Sequence, residues 1–208
     1  MTSRSRFAKS ARSARGFSLV ELLCVLVILI IMVTMLGGRL SGSRRRSNLE
    51  LCRKNLQTLY LTLTLYANDN HGSFPRLNDA PISAAPLSLL VPRSTTETAM
   101  FICPGAADKA LPEGEPFARR RISYAYYMGR STNNSPAAQA LVSDWQVNSL
   151  PKTTGRPLFS ADGRQPGNNH DKDGGNILLD SGEVLRSGPA AACDLPLPPG
   201  VILLNPVP

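Results

Sequence analysis

Residues 17–37, FSLVELLCVLVILIIMVTMLG, make an apolar run of 21 residues that contains a single charge, Glu21. As an α-helix rising about 1.5 Å per residue, the run reaches roughly the ~30 Å of a bilayer core. It is long enough to span a membrane, and the 208 residues of the chain leave room for one modest domain besides. The flanks give the direction. Arg4, Arg6, Lys9, Arg12 and Arg15 precede the run with no Asp or Glu among the first sixteen residues, which places the N-terminus in the cytoplasm and everything after Gly37 outside. A secretory signal peptide would be shorter and would close on an A-x-A-like cleavage site, whereas Gly37-Gly38-Arg39-Leu40 follows here. Basic flank and span alone describe a signal-anchored periplasmic domain.

Two further facts narrow this. The formal charge of +8 falls to +3 once the five leader cations are set aside, so the basic pI of 9.7 mostly describes a leader, and nucleic acid is not an expected partner. Glu21, inside the apolar run, costs a few kcal/mol on insertion scales and needs a partner.

The residues Arg15-Gly16-Phe17-Ser18-Leu19-Val20-Glu21 resemble the processing signal of type IV pilins and type II secretion pseudopilins: a basic leader, Gly, Phe, three intervening residues, Glu, then the span. The resemblance implies that a membrane prepilin peptidase/methyltransferase cuts between Gly16 and Phe17 and methylates the new N-terminal Phe17. It also implies that Glu21 pairs with the α-amino group of Phe17 on a neighbouring subunit during assembly, which supplies the compensation a buried carboxylate requires. Self and other pilin-like subunits, an inner-membrane assembly platform and its ATPase are the implied partners. The implied location is the inner membrane, single-pass, followed by a periplasmic or surface filament.

After the polar, glycine-containing link from Gly37 to Arg46, apolar residues recur at Leu49, Cys52, Leu56, Leu59, Leu63 and Tyr66. These steps of three and four make one stripe of an amphipathic helix that packs on the exported domain. Gly37, Gly38 and Gly42 each weaken a helix by about 1 kcal/mol relative to Ala, so a kink or melted turn is expected there; pilin-like proteins often bend this stretch with a proline, which this chain lacks. Arg44, Arg45 and Arg46 read as a solvated face, with anionic-lipid contact as the alternative.

Beyond Tyr66, Gly and Pro signals recur. Short strands are expected at residues 122–128, 140–143, 176–179 and 183–185, with Asp180-Ser181-Gly182 as a hairpin turn. Residues 80–92 and the tail 196–208 read as irregular, although Val201 to Leu204 could form an edge strand. The expected fold class is α+β and pilin-like: a leader (1–16), a membrane helix (17–37), its amphipathic continuation (38–66), and an exported domain (67–208) in which the helix packs on a small antiparallel sheet with long loops.

Several segments resemble pilin-like proteins of planctomycetes and verrucomicrobia, which carry a C-terminal His...Gly-Gly-Asn-Val-Leu...Asp-Gly-His-Val signature. The matching residues are His170, Gly174, Gly175, Asn176, Ile177, Leu178, Gly182 and Val184. Asn55-Leu56, Tyr66 to Asp69, Phe101-Ile102-Cys103-Pro104 and Ser123 to Gly129 support them. Ser181 and Glu183 depart from the pattern, so the second histidine has no counterpart.

Cys24 lies in the apolar run and reads as a small buried hydrophobe. The remaining cysteines, Cys52, Cys103 and Cys193, show neither CxxC nor a local Cys/His cluster, so a structural zinc site is not expected. In an oxidising compartment Cys52 and Cys103 could pair; a pair with Cys193 and the all-reduced state stand beside that option. Calcium, which takes oxygen ligands, has candidates in Asp162, Asn168, Asn169, Asp171, Asp173 and Asp180, but no EF-hand spacing. No nucleophile motif accompanies His170 and no nucleotide loop is found, so neither catalysis nor an organic cofactor is expected. Three functions compete: a filament subunit, a minor pilin whose loops (Arg119 to Arg121, Lys152, Arg156, Arg164) capture DNA or exported substrate, and, last, a membrane-anchored enzyme.

Overall fold

The computed structural model describes residues 17–132, 139–147, 157–188 and 197–207. The chain divides into two units, Met1–Ser43 and Arg44–Pro208. One helix, α1, is assigned over Leu19–Asp69. It continues through Gly37, Gly38 and Gly42, so the expected melted turn is absent. The penalty of about 1 kcal/mol per glycine is smaller than the cost of ending a helix and nucleating another.

In the first unit Ser18 occupies the N-cap position, and its backbone N–H donates to Glu21 Oε2 at 3.1 Å. Serine followed three residues later by glutamate is a capping box, and this bond is its returning half. Every residue from Phe17 to Met35 is exposed, including Cys24, so none of the described residues of this unit covers that stretch of helix. Among the described residues no helix is by itself long and apolar enough to cross a membrane; the stretch with described side chains stops at Met35.

In the second unit the predicted stripe is the packing face. Leu49, Cys52, Leu56, Leu59 and Leu63 are buried, together with Ala67, and Tyr66 is half-buried. They pack on a five-stranded antiparallel sheet comprising β1 (Tyr124–Met128), β2 (Ala140–Asp144), β3 (Gly175–Leu179), β4 (Val184–Ser187) and β5 (Ile202–Leu204). The spatial order is β4-β3-β2-β1-β5, so the tail is an edge strand, pairing Tyr127 with Leu203. Residues 84–90, expected to be irregular, form a short helical turn, Ala84–Leu87, continued by a 3-10 turn, Ser88–Leu90.

Side chains on a strand alternate between faces. Tyr124, Tyr126, Leu178 and Val184 join the helix in the larger core, whereas Ala125, Tyr127, Ile177 and Leu179 face a second cluster with Leu158 and Phe159. Both faces are therefore covered, and β1, β2 and β3 are buried at every position. A register shift between Ala140 and Val142 brings both Leu141 and Val142 into the helix-side core, as a bulge does. Gly174 opens β3 at a φ of 88°, and a Cβ there would lie 2.0 Å from the carbonyl oxygen of Ser187. Only glycine fits.

The stripe makes a direct prediction. Leu59→Ala should cost about 2–5 kcal/mol in denaturant unfolding of the detergent-solubilised full chain. Leu61→Ala, on the exposed side of the same helix, should stay within about 0.5 kcal/mol. Equal losses would mean that the face assignment is wrong.

Candidate functional site

Four segments distant in sequence converge at one end of the sheet. Cys52 comes from α1. Cys103 follows the 3-10 turn Ala99–Phe101. Asp144 ends β2, directly across from Tyr124 at the start of β1. His170 lies in the loop before β3. All four side chains are buried, and one potential ligand atom of each lies within 4.8 Å of the other three.

The contacts within the cluster are specific. Cys52 Sγ donates to Asp144 Oδ1 at 3.2 Å and lies 3.3 Å from the Tyr124 hydroxyl. His170 Nε2 is 3.3 Å from both Asp144 Oδ2 and Cys103 Sγ. Around this group, Asn169 Nδ2 donates to Asp144 Oδ1 at 2.9 Å, and the Asn176 N–H donates to Oδ2 at 2.7 Å. The Gly105 N–H donates to Cys103 Sγ at 3.4 Å. A side chain at position 105 would collide with the Asn169 carbonyl at 2.4 Å and His170 Nδ1 at 2.7 Å, so glycine permits the histidine loop to close on the cysteine loop. Three anchors hold the loops: Asn55 Nδ2 donates to the Ile102 carbonyl, the Cys103 N–H donates to Ser123 Oγ, and Asn176 Nδ2 donates to the Leu49 carbonyl. Of the segments that carry the C-terminal resemblance, those around Asn55, Cys103, Ser123, His170 and Asn176 therefore meet in one place.

Burial alone would neutralise these groups. It opposes ionisation of Asp144, but the His170 charge and hydrogen bond, with donors Asn169 and Asn176, hold the carboxyl below its ordinary value. Burial likewise opposes a charged His170, yet Asp144 pushes the imidazole up to about 10. Burial, then Cys103 and Asp144, drive the Cys52 thiol well up. Cys103 is carried below the ordinary thiol value despite its burial, by its hydrogen bonds to Cys52 and His170 and the charge of His170. The arrangement is a buried ion pair flanked by two thiols of unequal acidity.

The structure brings Cys52 and Cys103 together as free thiols. Cys193 lies outside the described residues, as do Gly16, Lys152 and Arg156. The absence of a local Cys/His cluster does not carry over to three dimensions, because the fold assembles one from four segments. Sequence reasoning missed Asp144, although a carboxylate ending the apolar strand Ala140–Asp144 was the available signal, and it missed the Ser18 cap.

Five of the six calcium candidates have protein partners of their own. Asp162 accepts from Ser160 Oγ and the Arg164 N–H, and Asp171 pairs with Arg45 at 3.4 Å. Asn168 donates to the Gly163 carbonyl, Asn169 serves Asp144, and Asp180 accepts from the Gln139 N–H. Among the described residues, Asp162, Asp171, Asp173 and Asp180 join no group of three potential ligands. Of the arginine run, Arg121 is engaged, its Nε 2.6 Å from Asp108 Oδ1 and its guanidinium 5.1 Å from the centre of the Trp145 ring, whereas Arg119 and Arg120 are exposed.

Residues 11–37 match a family model described as the prokaryotic N-terminal methylation motif. No curated protein and no solved structure matches the chain.

Removing Asp144 strands a buried histidine and three donors. Asp144→Ala should destabilise the full chain by about 3–5 kcal/mol in urea unfolding. A loss under about 1 kcal/mol would remove the cluster from the groups that hold the fold together.

Proposed function

We propose, from a chain that carries the N-terminal methylation motif of type IV pilin-like precursors, that the protein is a filament subunit, cut after Gly16 and polymerised through its apolar helix. The observation that carries this reading is the helix from Leu19 to Met35, which is apolar on all sides and exposed along its whole length. Full burial of each Leu, Ile or Val is worth roughly 1.5–3 kcal/mol. A helix apolar all round is a buried one. Lipid covers it before assembly, and helices of other subunits cover it afterwards.

Glu21 links the two stages. In the uncut chain its carboxylate caps its own helix through the Ser18 N–H. Cleavage before Phe17 creates a positive α-amino group one residue from Ser18, and a neighbouring subunit's new amine is the charge that compensates Glu21 inside a packed helix bundle. The exported sheet domain faces outward. The role is structural, in a type II secretion pseudopilus or type IV pilus-like filament, with the membrane-anchored subunit oriented N-terminus inward by its basic leader. The minor-pilin reading gains nothing from Arg121, which is committed to Asp108 and Trp145.

Intact-mass and N-terminal peptide analysis of the protein from its native membrane fraction tests the reading. A chain beginning at N-methylated Phe17 is expected. Retention of residues 1–16, in cells that process other prepilins, would leave a signal-anchored periplasmic domain instead. Glu21→Ala should still be cleaved but should reduce recovery in sheared filaments by about a hundredfold, the equivalent of an unpaired buried charge of ~3 kcal/mol. Normal recovery would dismiss the proposed pairing.

A further inference from the structure

We propose that Cys52, Cys103, Asp144 and His170 form a closed structural metal site that takes a single thiophilic divalent cation, zinc above all. The donor set is the first reason. Two sulfurs, one imidazole nitrogen and one carboxylate oxygen make a four-coordinate zinc set, and a buried site whose four positions are all filled by protein is structural rather than catalytic. The spacing is the second. Zinc–sulfur and zinc–nitrogen or oxygen bonds of ~2.3 and ~2.0–2.1 Å imply edges of about 3.3–3.8 Å in a tetrahedron. The Cys103 Sγ–His170 Nε2 and His170 Nε2–Asp144 Oδ2 separations are both 3.3 Å, Cys52 Sγ lies 3.2 Å from the other carboxylate oxygen, Oδ1, and one ligand atom from each of the four residues lies within 4.8 Å of the rest, so small side-chain shifts would close the four donors on one ion.

The surroundings are the third reason. Metal-bound carboxylates and thiolates are held by outer hydrogen bonds. Here Asp144 is held from both sides by Asn169 and the Asn176 N–H, Cys103 Sγ receives the Gly105 N–H, and the Tyr124 hydroxyl reaches Cys52. Two thiolates and one carboxylate more than offset a divalent ion, and these donors face the excess negative charge. Loading displaces the two thiol protons and the imidazolium proton to solvent, with no change of oxidation state. A cavity of about 30 Å3 lined by Arg45, Asn48, Gly105, Asn169, His170 and Asp171 gives the histidine side of the site an approach from the surface, and it has room for about one water.

The inference stands apart from the filament reading, and its test does not depend on filament assembly. The full chain, isolated in detergent without chelator, should carry about one zinc per chain by elemental analysis. Stripping the zinc with a chelator under reducing conditions should lower the thermal midpoint by roughly 10 °C, and zinc alone should restore it. Cobalt loaded in its place should give the intense visible bands of a tetrahedral ion with a thiolate charge-transfer band. Cys103→Ser should lose the metal. If that variant fails to fold, Cys103→His, which keeps a ligand, should retain one metal and weaken the charge-transfer band. Three results would each overturn the proposal: no metal in the isolated chain and none taken up by the reduced protein, a Cys52–Cys103 disulfide peptide in the exported protein, or metal content unchanged in both Cys103 variants.

Discussion

Asp144 is a wholly buried carboxylate, and the way it is compensated organises the sheet domain. Leaving such a charge uncompensated would cost several kcal/mol. Its partners come from α1 through Cys52, from the loop before β3 through Asn169 and His170, and from β3 itself through the Asn176 N–H. None of these groups is near Asp144 in sequence. Their arrival on one side chain sets how far along the sheet the helix sits and where the two long loops close. Apolar packing is tolerant of small slides, whereas hydrogen bonds of 2.7–3.3 Å to one carboxylate and its neighbours are not.

The elements were legible wherever one physical requirement dominated a stretch of chain. The three-and-four spacing from Leu49 to Leu63 predicted the face that the structure buries, because an amphipathic helix has only one way to hide its stripe. The hairpin around Gly182 was legible because the turn demands a residue that tolerates positive φ, and Gly182 has a φ of 87°. The glycines of residues 37–42 misled as to a melted turn because propensity was weighed without the cost of a second nucleation. β5 was left open because Ile202 to Leu204 becomes a strand only by pairing with β1, more than seventy residues earlier in the chain.

The cluster was less legible for a geometric reason. Ligand motifs are readable when they sit on one helix or one turn, where spacing fixes the distance. Here Cys52, Cys103, Asp144 and His170 come from four elements. The sheet register, Tyr124 opposite Asp144, the stripe phase, with Cys52 on the inner face, and the anchored loops of Cys103 and His170 bring them together. Cys52 was read as one of the stripe's apolar residues, and it is that as well. A buried Cys can serve as a small hydrophobe until a histidine and a carboxylate arrive beside it.

The same reasoning separates the two apolar patterns along α1. From Leu49 onward one face is continuously apolar and the sheet in the same chain satisfies it, while the outer face mixes polar residues with the exposed Leu51, Leu61 and Leu65. From Leu19 to Met35 the apolar residues surround the axis and remain exposed, so no single sheet face would suffice to cover them. The first pattern is a folding instruction addressed to this chain. On the proposed filament reading, the second is addressed to a surrounding medium, lipid or a ring of other helices, and Glu21 is the residue in it that would distinguish the two. On the proposed filament reading, lipid offers a carboxylate no fixed cation at that depth, whereas a packed array of processed helices would offer an α-amino group at a repeating position.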